Sequence, residues 1–353
     1  MTWCQEHEIT IKDLETICQD KNLDYTKFKD KNILITGGTG QIGSALAKTL
    51  LYLSDQKNLN LKLFINCRDE KKFQKVFAKH LTSHKNLYSL PCDLTSAINK
   101  TEHFDFIIHT ASVTSSVFFV QKPIRTITTT ILGTQHILEL AVQNKAEVLY
   151  VSSMEVYGQT TAQKISEDGQ GTLNFQSLRS SYPESKRCAE LLCLAYAAEC
   201  DLKVKIVRPT LTFGSALSPS DNRVYAQFLR SVLEHKDIVL HTKGETERDY
   251  LYLYDAVHAM LSVILKGQSG EAYNLSNPET YCSILELAKL TQSFASDTAI
   301  IFDLDVGKKG IYAPIVKLGL DTSKLDALNP FPKKSLREML ATTLALTKAA
   351  QNS

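Results

Sequence analysis

The sequence predicts an α/β fold in which a doubly wound parallel sheet is joined to a smaller mixed α/β domain toward the C-terminus. Apolar runs of strand length alternate with amphipathic stretches of helix length from Asn32 to Pro209, which is typical of βαβ units. After Pro209 this alternation weakens, and a stretch containing Gly, Pro and Ser (213–221) leads into a mixed region. A chain of 353 residues, 43% of them hydrophobic, can bury the core of a large domain and of a smaller companion.

The predicted elements follow one another in a regular order. Residues 1–30 form an N-terminal extension that we expect to be helical, because Ile9, Ile11, Leu14, Ile17 and Cys18 share one face of a helix. Strands are predicted at 33–35, 61–65, 106–108, 148–151 and 204–207, and helices at 42–53, 131–143 and 182–199. We therefore assign 31–212 and about 246–265 to the sheet domain, and 213–245 and 266–353 to the smaller one.

Composition excludes several classes of protein. The net charge is +2 and the basic residues are scattered, unlike the clustered positive surface of a nucleic-acid-binding protein. No apolar run approaches the roughly 20 residues that span a bilayer, and the first ten residues are too polar for a signal peptide. The eight cysteines lack the spacing of metal ligands. We expect a cytoplasmic protein without a membrane segment, a nucleic-acid partner or a metal.

A glycine-rich turn follows the first predicted strand. The strand 33–35 continues into Thr-Gly-Gly-Thr-Gly-Gln-Ile-Gly, after which a helix begins. Glycines at these places permit a tight turn, close approach of the backbone to a pyrophosphate, and close packing of helix on sheet, while the helix N-terminus offers free N–H groups to phosphate. The sequence therefore predicts a Rossmann-type dinucleotide site. Its predicted residues are Gly37, Gly40, Gln41, Ile42 and Gly43.

The second predicted strand ends without the carboxylate that commonly binds the adenosine ribose of NAD. Arg68 follows it directly, which suits a 2′-phosphate and favours NADP over NAD; the alternative is a solvated arginine in a charged loop. Asp93 and Leu94 follow the apolar run 87–90, near the expected position of an adenine amino group. Asp93 is equally suited to capping the next helix.

Two segments carry groups suited to proton transfer. Tyr182 and Lys186 lie one turn apart on a predicted helix, where an ammonium beside a phenol stabilises the phenolate and lowers its pKa. The strand 148–151 ends in Ser152 and Ser153, at the carboxyl edge of the sheet, where such folds bind ligands. Together they indicate an acid-base site beside the dinucleotide.

These motifs resemble the extended short-chain dehydrogenases/reductases, specifically the NAD-dependent epimerase/dehydratase family. The resemblance runs from about Asn32 to Asn274 and includes the glycine turn, Cys92-Asp93-Leu94, His109-Thr110-Ala111-Ser112, Ser152 to Gly158, Tyr182 to Lys186, Arg208-Pro209 and Arg248-Asp249-Tyr250. It implies an NAD(P)-binding Rossmann domain, a smaller substrate domain, a sugar nucleotide bound between them, and an isomerase or lyase of carbohydrate biosynthesis. It also implies a homodimer formed through two helices of each subunit.

The resemblance implies a role for each matching residue. Tyr182 would exchange a proton with a sugar hydroxyl, commonly that on C4, Lys186 would hold the nicotinamide ribose, and Ser153 would bind the same sugar oxygen. The other implied cofactor contacts are Thr110, Ala111, Ser112, Ser152 and Pro209. The other implied substrate contacts are Met154, Arg208, Arg223, Arg248 and Asn274. Arg248 would bind the diphosphate, unless it forms a surface ion pair with Glu245 or Glu247.

The residues after Ser153 bear on the reaction. The family's 4,6-dehydratases carry Asp-Glu there, whereas this chain has Met154 and Glu155, and methionine cannot donate the proton that elimination needs. We therefore expect a 4-epimerase. Glu155 leaves open a dehydratase or a decarboxylase, unless it only accepts backbone N–H groups in its turn, and Arg68 leaves open an NADPH-dependent 4-keto reductase. From another class, a dinucleotide-sensing binding protein also remains, although it would not need Ser153, Tyr182 and Lys186.

One position departs from the family pattern. Where the family usually carries an asparagine four residues before Thr134, this chain has Thr130. A hydroxyl can still bind water or a carbonyl, so we expect an altered relay rather than loss of activity.

Overall fold

The computed structural model describes Trp3 and residues 6–98, 102–304 and 315–352. Its centre is a seven-stranded sheet in the order β3-β2-β1-β4-β5-β7-β11, with every described pairing parallel. The strands are β1 (Asn32–Thr36), β2 (Lys62–Cys67), β3 (Leu87–Pro91), β4 (Phe106–His109), β5 (Glu147–Val151), β7 (Val204–Pro209) and β11 (Ala272–Leu275). The reversal of order at β1 and β4 is that of a doubly wound Rossmann sheet, which confirms the predicted fold class.

Helices cover both faces of this sheet. The helices are α1 (Glu8–Cys18), α2 (Gln41–Lys57), α3 (Glu70–Leu81), α4 (Ser116–Gln121), α5 (Pro123–Asn144), α6 (Ser181–Cys200), α7 (Val224–Leu233), α8 (Leu253–Lys266), α9 (Ile284–Gln292), α10 (Ser323–Leu328) and α11 (Leu336–Gln351). Successive residues of β1 point to opposite faces: Ile33 and Ile35 pack in the core that contains α2 and α8, and Leu34 packs in the core beneath α5 and α6. Parallel strands buried on both faces explain the unbroken apolar runs of the sequence.

A second sheet forms the smaller domain. Its strands are β6 (Lys164–Ile165), β8 (Leu211–Phe213), β10 (Glu247–Tyr252), β12 (Asn277–Ser283) and β14 (Lys317–Leu320), and β9 (Ile238–Leu240) pairs separately with β13 (Ile300–Phe302). The sheet surrounds β10, which pairs with β8, β12 and β14. The strand β10 therefore links β8, which comes before α7, to β14, which comes after α9.

Two strands belong to a different sheet from the one to which the predicted domain boundaries assign them. The strand β11, which we assigned to the smaller domain, pairs with β7 as the edge of the large sheet, and β10, which we assigned to the sheet domain, belongs to the second sheet. Helix α8, directly after β10, does pack against α2 as the assignment requires. Strands this short carry no sequence signal for the sheet they join, because pairing partners are chosen by tertiary contacts.

The N-terminal segment is part of the folded core. Leu14 and Ile17 of α1 are buried, and α1 contacts α2 and α8. Asp13 accepts a hydrogen bond from the Tyr252 hydroxyl and pairs with Lys334 at 2.9 Å, so the first helix is tied to the segment before α11. Within the described ranges, no helix has the length and apolar character needed to cross a membrane.

Candidate active site

The glycine turn lies between β1 and α2. Gly37 has φ +63°, and a Cβ atom there would lie 2.7 Å from the Ala111 Cα; a Cβ at Gly43 would lie 2.6 Å from the Gly37 carbonyl oxygen. Both positions therefore require glycine. Gly40 precedes α2 without a side-chain cap, so the first N–H groups of the helix remain available to an anion.

Gln41 and Arg223 meet at the junction of the two domains. Arg223 Nη2 donates to Gln41 Oε1 at 2.9 Å, and Gln41 Nε2 donates to Ser215 Oγ at 3.2 Å. The Arg223 guanidinium also pairs with Asp221 at 2.6 Å. Arg223 thus pairs with Asp221 and links the smaller domain to the glycine turn, and its contact with a substrate stays a prediction.

The expected adenosine end of the site contains Arg68 and Asp93. Asp93 accepts hydrogen bonds from the Thr95 N–H at 3.0 Å and the Thr95 hydroxyl at 2.9 Å. These bonds, with smaller contributions from Arg68 and Arg125, lower the pKa of Asp93. Arg68 is exposed after β2, and Leu94 is buried beside Asp93. Asp93 thus has the turn-capping bonds of our alternative interpretation, and Arg68 lies close enough to influence it.

Tyr182 lies where β4, β5 and α6 converge. Its ring is buried and stacks on Phe119 with 4.3 Å between ring centres. Burial raises the pKa of Tyr182 and the Glu155 carboxylate raises it further, whereas hydrogen bonding to Ser153 and Ser112 lowers it. The phenol, the two hydroxyls and the carboxylate are therefore neighbours, although they come from separate segments of the chain.

Lys186 is buried one turn further along α6. Its Nζ donates to the Val151 carbonyl at 2.7 Å and lies 6.0 Å from the centre of the Tyr182 ring. Burial lowers the pKa of Lys186 to about 7. In the protein alone, burial dominates both groups and raises the pKa of Tyr182, so the lowering that we expect from Lys186 stays a prediction for the complex with cofactor.

The surroundings of Lys186 fit a bound ribose. The Ser152 hydroxyl is buried and has no hydrogen-bond partner among the described residues. Lys186 has three N–H donors and one protein acceptor, and it forms no ion pair with a described carboxylate. The carboxyl ends of β4 and β7 bring Thr110 and Pro209 to the same edge of the sheet. Hydroxyl groups of a nucleotide would satisfy these unmatched polar atoms.

Glu155 is paired with Arg179, a residue that no sequence motif indicated. Arg179 Nη2 donates to Glu155 Oε1 at 3.0 Å, and Nη1 lies 2.9 Å from Oε2. The expected alternative, in which the carboxylate accepts backbone N–H groups of its own turn, is not seen; the Glu155 N–H instead donates to Ser153 Oγ at 3.2 Å. Arg179 comes 24 positions after Glu155, in a loop without periodicity, so no spacing rule relates them.

Two residues with predicted substrate contacts, Arg208 and Asn274, belong to a largely buried network, and their contact with a substrate stays a prediction. Arg208 pairs with Glu190 at 2.6 Å and donates to the Tyr157 hydroxyl at 2.9 Å. Asn274 Oδ1 accepts from the same hydroxyl at 2.6 Å, and its Nδ2 donates to two backbone carbonyls. These bonds match the polar atoms of both side chains and stabilise the junction of β7 and β11.

Met154 and Thr130 also serve the scaffold. Met154 is buried, and its sulfur accepts a hydrogen bond from the Thr210 hydroxyl at 3.1 Å, while its contact with a substrate stays a prediction. The buried Thr130 hydroxyl donates to the Thr126 carbonyl at 2.9 Å within α5. The hydroxyl that replaces the family's asparagine is thus used by its own helix.

Arg248 in β10 has no hydrogen-bond or ion-pair partner among the described residues. Glu247, the partner of our alternative interpretation, pairs instead with Lys317 at 2.6 Å. The neighbouring Asp249 accepts the Leu320 N–H at 2.7 Å and so fixes β10 against β14. Among the described residues, the Arg248 guanidinium therefore has no carboxylate partner, which suits an anionic group. The described residues contain no cluster of His, Cys, Asp and Glu that could hold a metal.

The strand order, the glycine turn and the Tyr182–Lys186 pair define an extended short-chain dehydrogenase/reductase. The chain belongs to the NAD dependent epimerase/dehydratase family, whose model matches residues 33–276. The family was correctly predicted from the sequence motifs, as was its nicotinamide dinucleotide cofactor.

Relatives of known activity fall within the same family. UDP-glucuronic acid decarboxylase 1 of Danio rerio is 31% identical over 271 residues, which are 77% of this chain and 62% of that protein. The chain thus spans about six tenths of the length of this relative. The solved structure of UDP-glucose 4-epimerase from Thermotoga maritima with UDP-glucose has a TM-score of 0.76 at 23% identity, covering 91% of this chain and 99% of that one. The dTDP-glucose 4,6-dehydratase of Streptomyces venezuelae, with NAD bound, has a TM-score of 0.75 at 22% identity, covering 91% and 98%.

Proposed function

We propose that this chain is an NAD(P)-dependent enzyme that transiently oxidises C4 of a sugar nucleotide and removes the carboxylate at C5 of a uronic acid. The observation that carries the proposal is the position of Glu155, a carboxylate close enough to raise the pKa of Tyr182. It provides a group for chemistry at a second sugar carbon. The similarity to a UDP-glucuronic acid decarboxylase supports the substrate class.

The residues around the sheet edge would hold the cofactor. Gly37, Gly40 and the N-terminus of α2 would bind the pyrophosphate, and Lys186 and Ser152 the nicotinamide ribose. The nicotinamide, when bound, accepts a hydride from the sugar and returns it. The unpaired Arg248 would bind the substrate diphosphate.

The side chains of this site can perform each proton transfer. Tyr182 takes the proton of the C4 hydroxyl, while Ser153 donates a hydrogen bond to the same oxygen. Once C4 is a ketone, the C5 carboxylate lies β to a carbonyl and leaves as carbon dioxide. Its bonding electron pair moves to the C4 oxygen, which Tyr182 and Ser153 stabilise. Glu155, about one third exposed, relays a solvent proton to C5, so one carbon dioxide leaves for each proton gained.

Epimerisation at C4, which we preferred from the sequence, is the second candidate. Glu155 is held by two hydrogen-bonded contacts to Arg179, and a carboxylate held in that way can remain outside the chemistry. Ser153, Tyr182 and Lys186 alone meet the needs of oxidation and hydride return. The products separate the two reactions, because epimerisation releases no carbon dioxide.

Replacing Glu155 with Gln is expected to abolish most decarboxylation while sparing oxidation at C4. With excess UDP-glucuronic acid and NAD or NADP, steady-state carbon dioxide release should fall by about 10²-fold, following the range of general acid-base catalysis, because unprotonated C5 blocks hydride return and reduced nicotinamide accumulates. Trapped carbon dioxide and product NMR measure the two effects. Glu234→Gln is the matched control, since Glu234 pairs with Lys236 on the surface, away from the site. Full carbon dioxide release by Glu155→Gln would exclude the proposed role, and inversion at C4 without carbon dioxide would establish the epimerase.

The position of Arg68 gives a prediction about cofactor choice. If its guanidinium binds a 2′-phosphate, Arg68→Ala should weaken NADP by about tenfold or more and leave NAD almost unchanged, because a hydrogen bond to a charged group contributes about 1.5–3 kcal/mol. Titration of the purified protein with each cofactor, followed by calorimetry, measures both affinities. Equal weakening of NAD and NADP would remove the case for a 2′-phosphate site.

We further propose a homodimer formed through α5 and α6. The two helices pack side by side and carry exposed apolar side chains, among them Ile127, Leu191 and Leu194, which a partner helix pair would cover. The cytoplasmic location stays a prediction.

A further inference from the structure

Arg179 is held in a fixed position beside the candidate active site. It lies in a single 3₁₀ turn, Leu178–Ser180, directly before α6. Ser177 caps this turn by accepting the Arg179 N–H at 3.3 Å, and Ser180 donates to the Asn174 carbonyl at 2.6 Å. These two hydrogen bonds hold the backbone around Arg179 in place, so its guanidinium reaches Glu155 from a fixed position.

Phe119 joins this arginine to the candidate catalytic tyrosine. The Arg179 guanidinium lies 4.9 Å from the centre of the Phe119 ring, whose planes are parallel within 3° to the ring of Tyr182. Ser181 donates to the Phe119 carbonyl at 2.8 Å and holds α4 against the start of α6. Arg179, Glu155, Phe119 and Tyr182 thus form one contact cluster, which we call the arginine cluster.

The arginine cluster places a cation beside two groups, Glu155 and the Tyr182 phenolate, whose negative charges repel each other. A negative carboxylate near a phenol opposes phenolate formation, which oxidation of a sugar alcohol requires. The ionisable groups that face Tyr182 are Glu155 from the turn after β5, Arg179 from the turn before α6, and Lys186 and Tyr150 from α6 and β5. Of the two cations, Arg179 is the one bonded to Glu155.

We propose that Arg179 is a positioning residue that holds the Glu155 carboxylate beside the sugar and offsets its negative charge at Tyr182. One small site can then contain both a carboxylate and a phenol that must give up its proton. The inference rests on the proposed oxidation at C4, but it holds whether carbon dioxide release or epimerisation follows. It goes beyond that function by assigning a role to a residue that does not touch the reacting atoms.

If the ion pair of Arg179 and Glu155 only stabilised the fold, replacing Arg179 would lower the stability of the protein and leave the pH profile of oxidation unchanged. Arg179 and Glu155 are 29% and 33% exposed, and ion pairs with that exposure contribute little to folding stability. Arg179→Gln is therefore expected to fold normally, which circular dichroism and thermal unfolding can verify. Arg337→Gln is the matched control, because Arg337 also lies over a phenylalanine ring, at 5.2 Å from Phe294, and donates to a serine.

The test is the rate of nicotinamide reduction in a single turnover, followed by stopped-flow absorbance across a range of pH. The holoenzyme is mixed with UDP-glucuronic acid, so that oxidation at C4 is observed separately from later steps. Arg179→Gln should slow this step about tenfold near neutral pH and shift its pH profile about one unit to the alkaline side, because an unpaired carboxylate then faces Tyr182. Arg179→Lys should give a smaller shift, since it keeps the charge.

The double variant Glu155→Gln/Arg179→Gln distinguishes charge compensation from structural damage. Removing both charges should restore the oxidation rate to within about threefold of the wild type, as expected for two coupled residues. A double variant as slow as Arg179→Gln, or a single variant with an unchanged pH profile, would overturn the inference. A wild-type protein that never reduces nicotinamide with charged or neutral sugar nucleotides would instead refute the proposed function, and the inference with it.

Discussion

Replacing Tyr182 with Phe is expected to lower kcat by a factor of about 10² or more, because the site would lose the group that exchanges the C4 hydroxyl proton. The substitution removes one oxygen from a buried ring and keeps its stacking on Phe119. Cofactor affinity should therefore remain close to that of the wild type. Steady-state rates with UDP-glucuronic acid, together with cofactor titrations, measure both quantities.

The comparison variant is Tyr88→Phe, which removes the same atom from a tyrosine that is 38% exposed on the sheet edge. It should retain wild-type activity. If Tyr182→Phe were equally active, proton transfer by Tyr182 would be excluded, and a protein that binds dinucleotides without catalysis would become the better hypothesis. The cluster of Ser153, Ser112 and Glu155 around the phenol argues against that outcome, since a binding protein has no use for it.

Because the pKa of Tyr182 is raised, activity requires a positive charge or hydrogen-bond donors that stabilise its phenolate. In the protein alone, burial disfavours the phenolate, so the charge needed to stabilise it has to come from groups at the site when the complex forms. Lys186, with a pKa of about 7, is half charged near neutrality, and proximity to a phenolate would favour its charged form. The two groups then titrate as a coupled pair, and a pH-rate profile reports the pair rather than either residue.

The parts of this site that the sequence predicted are those with strict local geometry. The glycine turn is recognisable because Gly37 and Gly43 have no room for a Cβ, and the Tyr182–Lys186 pair because four residues make one helical turn. The positive φ of Gly37, the contact of Gly43 with the Gly37 carbonyl and the helical turn all arise within a few residues. The strand order follows from the same local pattern, repeated along the chain.

The parts that escaped prediction depend on contacts between distant segments. Arg208 and Asn274 belong to segments that resemble the family, yet Glu190 and Tyr157 match their polar atoms in the interior. Arg179 was missed because an arginine in an irregular loop gives no indication of the carboxylate it will meet. Burial and pairing are properties of the folded structure, and a spacing of 18 or more residues does not encode them.

Replacing Lys186 with Met is expected to abolish activity and stabilise the cofactor-free protein at the same time. Lys186 is buried without an ion pair to a described carboxylate, so its charge is costly and a methionine of similar length removes the cost. The gain in unfolding free energy should be on the order of 4–5 kcal/mol near pH 6, because the pKa is lowered from 10.5 to about 7 and each unit corresponds to about 1.4 kcal/mol. Urea unfolding at several pH values measures it, and kcat should fall by about 10² or more.

The pH dependence of this gain follows from the folded-state pKa of Lys186, which is lowered from 10.5 to about 7. Below pH 7 the amine is charged in both states and the folded protein bears the full cost of burial. Between pH 7 and pH 10.5 the folded amine is neutral while the unfolded amine still binds a proton. Wild-type stability therefore rises with pH, and the stability gained by Lys186→Met becomes smaller. Above the unfolded pKa no advantage remains.

A second buried lysine provides the control for this prediction. Lys205 is also buried with a lowered pKa, but it lies 3.3 Å from the Glu147 carboxylate and donates to the Ile264 carbonyl. Lys205→Met would remove the more buried of two lysines that pair with Glu147, the other being Lys203 at 3.5 Å, and should not stabilise the protein. A Lys186→Met protein no more stable than the wild type at pH 6 would show that the lysine is compensated in solution. A stable but inactive variant would show that the site keeps an unpaired charge because binding and catalysis require it.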